Sequence, residues 1–291
     1  MQVVIHAGAH MTDEDRLVNC LRLNSDTLAA LGTHVPNPQS YRRLLRDLLQ
    51  SAAPTALQGE ERASVMAATG TAAACTRLIL SNHGFFGTPR MALGGGRLYP
   101  AAELRLGRFH QIFAEDGLEL FLGLRNPATF LPALLPDANF ADMSAFLRGD
   151  DPLQLRWSDT IAQLRAAFPD MPITVWCNED TPLIWSQILR EMAGTDPAQP
   201  LEGEFALLPE IMTAPGYKRF EAYLAGRPGL TEAQKRRVVA AFLDKFVDED
   251  AVEEELDLPG WDGALIETLS AIYDEDVAEI EQMDGVTLIA P

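Results

Sequence analysis

Apolar residues come in two rhythms along this chain. Short unbroken runs within residues 3–5, 77–81, 118–124, 172–177 and 286–289 read as strands buried on both faces. Between them the apolar positions recur at helical spacing. Residues 12–31 carry Leu17, Val18, Leu21, Leu28 and Leu31, with Thr12 as the expected cap and Gly32 as the stop. Residues 41–49 place Leu44, Leu45, Leu48 and Leu49 on one side, and an alanine-rich helix is expected over 59–76. Further helices are expected over 100–114, with Leu104, Leu106, Phe109, Ile112 and Phe113 available for burial, around Phe130 to Leu135, and over 156–168 and 182–192. A short extended piece falls at 33–36 and a flexible glycine connection at Gly94-Gly95-Gly96.

Strand and helix thus alternate, which predicts an α/β fold: a three-layer sandwich around a mostly parallel sheet with right-handed crossovers. After Gly194 the rhythm changes. A loop-like stretch leads to helices near 214–224, 231–246 and 261–283, and Thr231-x-x-Gln234 is a capping-box pattern. The expectation is one domain over 1–291, with 195–260 a helical insertion or lid. The 291 residues allow a large core.

The formal net charge of -19 makes nucleic acid and anionic membrane surfaces poor partners. From Val247 onward there is no Lys or Arg, and Asp248-Glu249-Asp250 and Glu253-Glu254-Glu255 form acidic runs, read as a solvated face. No apolar run is long enough for a membrane span, and the N-terminus has no signal-peptide pattern. Cys20, Cys75 and Cys177 are widely spaced and read as reduced, buried thiols of a cytoplasmic protein.

The chemistry concentrates where strands end. Residues 2–31 read as strand, small-residue loop and helix start, the architecture of a phosphate cradle. Gly8-Ala9-His10-Met11-Thr12-Asp13-Glu14-Asp15 resembles the phosphate loop of bacterial P-loop sulfotransferases, which runs roughly G-x-H-K-T-G-T-T. Gly8, His10 and Thr12 match; Met11 stands at the lysine, and Asp13, Glu14 and Asp15 stand at Gly-Thr-Thr. Leu122-Gly123-Leu124-Arg125-Asn126-Pro127 resembles the strand end whose arginine, here Arg125, binds the cofactor's 3'-phosphate; the family's partner serine falls near Pro132-Ala133. Glu179-Asp180 resembles a pair that is mainly structural in the family, and residues 273–291 resemble its closing helix and strand.

The resemblance implies that Gly8, Ala9, His10, Met11, Thr12 and Arg125 hold 3'-phosphoadenosine 5'-phosphosulfate, with His10 or His83 as the base that deprotonates an acceptor hydroxyl. Methionine supplies no charge to a phosphosulfate, and each carboxylate repels it by about 1 kcal/mol at ~4 Å in water. On the residues themselves, the three acids read first as ordinary N-terminal helix acids, with metal binding together with His10 a lesser alternative. The expectation is therefore an eroded sulfotransferase-like protein that binds another small ligand or a partner at the sheet edge. The alternatives are an active sulfotransferase, with Arg90 or Arg97 standing in for the lysine, and an acidic interaction module. Nucleoside-triphosphate, serine-hydrolase and dinucleotide motifs are absent from the sequence.

Overall fold

The structure is a computed structural model that describes residues 1–51, 58–252 and 258–291. The strands are β1 (Gln2–His6), β2 (Thr33–His34), β3 (Arg77–Ser81), β4 (Leu93–Gly94), β5 (Arg97–Leu98), β6 (Gly117–Leu124), β7 (Ile173–Cys177) and β8 (Val286–Ile289). The helices in the first half are α1 (Arg16–Leu23), α2 (Ser25–Ala30), α3 (Pro38–Gln50), α4 (Gln58–Thr69), α5 (Ala102–Ile112), α6 (Pro127–Ala138) and α7 (Met143–Leu147). Those in the second half are α8 (Trp157–Ala167), α9 (Thr181–Ala193), α10 (Leu208–Ile211), α11 (Ala214–Ala225), α12 (Glu232–Phe246), α13 (Glu249–Val252) and α14 (Gly263–Glu281).

Six strands form one parallel sheet in the order β2-β3-β1-β6-β7-β8, so β1 lies between β3 and β6. In register, His6 lies beside Ser81 of β3 and Phe121 of β6, so β1 and β3 end side by side while β6 runs on to Leu124. Side chains alternate across the sheet as the two-residue period requires. Val3, Ile5, Leu78, Leu80, Leu120 and Leu122 join a core with α3, α5, α6 and α8. Val4, Ile79, Phe121 and Trp176 face α1 and α9 through Leu17, Leu21, Ile184 and Ile188. With helices on both faces this is a three-layer α/β sandwich. Trp157, Trp176 and Trp185 are core residues, each almost fully buried.

Five local expectations need correction. The helix expected over 12–31 begins only at Arg16 and divides at Asn24, whose amide turns back to the Cys20 carbonyl at 2.8 Å. Thr12 does not cap it; its hydroxyl donates to the Ala9 carbonyl at 2.7 Å. The helix expected to reach Thr76 stops at Thr69, where Gly70 turns left-handed. The triple glycine is not loose: β4 and β5 pair antiparallel across Gly95 and Gly96, both at positive φ as a two-residue primed turn needs. Of the cysteines, only Cys20 is buried; Cys75 and Cys177 are half-buried, and all three are free thiols.

The C-terminal helices divide by what they pack on. α11 and α12 share a small core of Leu208, Met212, Phe220 and Val239, and the capping box at Thr231 and Gln234 is formed. They dock on α9 through Arg190, which pairs with Glu204 and with Glu232 at 2.9 Å, while Lys235 reaches both acids at 2.9 and 3.0 Å. α14 instead returns to the sheet layer. Its buried Asp276 accepts from the backbone of Trp157 at 2.7 Å and Ser158 at 3.2 Å, so it supplies the N-terminal cap that α8 lacks in its own sequence. Glu249 and Asp250 are exposed, and the Glu253-Glu254-Glu255 run lies outside the described residues. No helix among the described residues is long and apolar enough to cross a membrane.

Candidate functional site

Two amides of the loop after β1 face the interior, where a cradle would turn them out. The Ala9 amide donates to the Gly123 carbonyl at 3.0 Å, and the His10 amide donates to the Tyr99 hydroxyl at 2.9 Å. Both donors are spent on the protein interior. Gly8, at φ 96°, lets this loop press against the next one: a Cβ there would stand 3.1 Å from the His83 Cα.

Beyond it, Met11, Glu14 and Asp15 are all left-handed, with φ of 55°, 47° and 67°. Each costs of order 1 kcal/mol for an L-residue, so cross-links must hold them. Arg125 Nη1 donates to the Met11 carbonyl at 2.5 Å, and its Nε donates to the Thr129 hydroxyl at 3.2 Å. Asp13 accepts from the Leu17 amide at 3.2 Å. Asp15 takes a two-pronged pair from Arg42, at 2.5 and 2.8 Å, which holds its carboxyl below the usual range. Thus Gly8, Ala9, His10, Met11, Thr12 and Arg125 are contiguous, but what they build is a braced loop. Arg90 and Arg97 are engaged elsewhere, donating to the Asn139 carbonyl at 3.3 Å and to Gln163 at 3.1 Å.

His10 and His83 do come together, with ring centroids 5.3 Å apart. They differ in what they can do. The Tyr99 hydroxyl accepts from the His10 amide, so its own proton is left for His10 Nδ1, 2.6 Å away. That assigns the proton of the neutral His10 ring to Nε2. Burial, reinforced by His83, lowers the His10 pKa to about 4, with a weak opposing pull from the Gly87 carbonyl. His10 is therefore a neutral donor at pH 7. His83 is exposed. Glu179, the other carboxylate at this edge, accepts from the Asn126 amide at 2.8 Å and from the Tyr273 hydroxyl at 3.3 Å, and burial raises its pKa. No cluster of three metal-ligating side chains occurs among the described residues.

The two histidines line a cleft of about 330 Å³ between the loops after β1 and β3 and the helices α3 and α5. That is the small end of the ligand-pocket range. Its other basic lining is arginine, Arg42, Arg43 and Arg46 from α3 and Arg105 from α5, and Gln50, Asn82 and Thr88 add neutral polar groups. Leu49, Phe85 and Met91 add an apolar wall. The helix α3 is aimed by its own first turn. Asn37 caps it, Pro38 starts it, and Tyr41 fixes it to the end of β3 by accepting from the Ser81 amide at 2.9 Å and donating to the Ser81 carbonyl at 3.0 Å. The leucine face then packs inward, and the arginines one and two positions off it face the cleft.

These four arginines were not singled out by the pattern of the sequence. Arg42-Arg43-x-x-Arg46 puts three cations within one turn of a helix in a strongly acidic chain, which was a usable signal. Arg105 gave none, because only packing brings α5 against α3. Compared with known proteins, this chain finds no counterpart: no family model, no curated protein and no solved structure matches it.

Proposed function

We propose that this protein has a sulfotransferase-like framework and binds a small ligand in the cleft between α3, α5 and the loops after β1 and β3, not a phosphosulfate nucleotide on the β1 loop. One observation carries this reading. The Ala9 and His10 amides, which a cradle would present to phosphate, donate to Gly123 and Tyr99 instead. The Arg125 guanidinium is likewise turned to the Met11 carbonyl, and the only side chain at the lysine position is a methionine. Freeing the Arg125 guanidinium would cost the hydrogen bond that braces the left-handed Met11.

Isothermal calorimetry with 3'-phosphoadenosine 5'-phosphate tests the reading. No heat of binding is expected up to millimolar nucleotide. A micromolar dissociation constant would overturn it and restore the alternative, an active sulfotransferase.

A further inference from the structure

We propose that the cleft is a receptor for a phosphomonoester, with Arg105 and Arg43 clamping the dianionic head and Leu49 and Met91 bordering a small apolar body. This deepens the reading above and rests on it for the location of the ligand.

The anchor is Arg105. Its residue is only 9% exposed, yet its Nε has no hydrogen-bond partner and the guanidinium meets no carboxylate among the described residues. Two other buried arginines, Arg108 and Arg190, have counter-charges, although the Arg108 Nε is also without a hydrogen-bond partner. Arg108 pairs with Glu61 at 3.1 Å, and Arg190 sits between Glu204 and Glu232. Burying a charge without a counter-charge is strongly unfavourable, and proteins tolerate it where a ligand completes the pair. Arg105 lines the cleft, so an anion entering it would supply what the fold omits.

The charge count sets the ligand class. Arg42 is already neutralised by Asp15, and Arg46 sits 3.0 Å from its neighbour Asp47. Arg43 is exposed, and no hydrogen bond or ion pair holds it among the described residues. Two guanidinium charges thus remain, from facing helices, and a dianion matches them. Arginine's planar fork suits tetrahedral oxyanions, and two forks converging from α3 and α5 grip one head from both sides. His10 lines the same wall. A phosphomonoester is dianionic above its second pKa of ~6, whereas a sulfate monoester carries one charge. In a chain whose net charge is -19 overall, this basic concavity is the exception to the field.

The test is titration of the full chain with phenyl phosphate, phenyl sulfate and phenol. Binding is followed by calorimetry, and its place by the Met91 methyl resonance in a [13C-methyl]methionine sample. Phenyl phosphate should bind at least 10-fold tighter than phenyl sulfate at pH 7.5, lose affinity below pH 6, and shift Met91. Arg105→Met should weaken phenyl phosphate at least 30-fold while leaving the melting temperature of the unliganded protein unchanged or higher, because it removes an unpaired buried charge. A merely structural arginine would do the reverse, lowering the melting temperature without changing affinity, and that result overturns the proposal. Should Arg105→Met fail to fold, the exposed Arg43→Ala decides, with a loss of at least 5-fold expected and unchanged affinity refuting. If phenol and phenyl sulfate shift Met91 as strongly as phenyl phosphate, the cleft binds ligands but the phosphomonoester assignment falls. If none of the three shifts Met91, the assignment falls together with the cleft itself.

Discussion

Replacing Tyr41 by phenylalanine isolates one hydroxyl that joins the fold to the site. β2 pairs with β3 only at Arg77 and Leu78, so Ser81 has no strand beside it on that side. The Tyr41 hydroxyl takes the place of the missing strand, accepting from the Ser81 amide at 2.9 Å and donating to its carbonyl at 3.0 Å. Both residues are essentially fully buried, and burial lifts the Tyr41 pKa to about 12. In Tyr41→Phe the ring still fills its place, so no cavity term enters. The Ser81 carbonyl keeps the Arg42 Nε at 3.0 Å, so it is not orphaned. The Ser81 N–H is. An unsatisfied buried donor costs about 1–3 kcal/mol, so the expected loss is about 2 kcal/mol. For a chain of this size that lowers the melting temperature by roughly 5 °C. Urea denaturation of both proteins, with equal slopes, measures the difference. A loss under about 0.5 kcal/mol, the range of neutral surface changes, would mean that α3 is not fastened to β3 through this hydroxyl.

Two other expectations follow from the same geometry. Arg190→Met leaves Glu204, half of a buried pair, held by Lys235 at 2.9 Å and the Leu201 amide at 3.0 Å; a loss of about 2–3 kcal/mol is expected, below the 3–5 kcal/mol of a fully stranded charge. In hydrogen exchange α11 and α12 should lose protection before α9 does, and simultaneous loss would show that the insertion does not depend on this junction. The Asp15–Arg42 pair gives a pH signature. Because the folded carboxyl is held below its unfolded value of about 3.9, the pair's stabilisation is fully present above that value and fades as pH falls through the lower, folded one. The stability gap between wild type and Asp15→Asn should therefore shrink on acidification below pH 4; a gap constant from pH 6 to pH 2.5 would contradict the pairing.

Sequence by itself determined the layers and most of the elements. The β-branched and leucine runs at 3–5, 77–81 and 118–124 could only be strands buried on both faces, because unbroken apolar character leaves no solvent side. The leucine stripe of α3 and the capping box of α12 were equally legible, since both depend on residues three or four positions apart. What the loop after β1 does was not legible. Its small residues, followed by Thr12 and acids, read as a helix start, yet Met11, Glu14 and Asp15 are left-handed, and Met11 and Asp15 are held by Arg125 and Arg42, which lie far along the chain. Tertiary structure alone decided whether the Ala9 and His10 amides faced a ligand or the interior, because Gly123 and Tyr99 are the acceptors. It alone decided that Arg105 is buried without a partner. Local rules reach only as far as a turn of helix or a pair of strand residues. A charge's environment is set by what packs across from it, and no spacing within α5 encodes the arrival of α3.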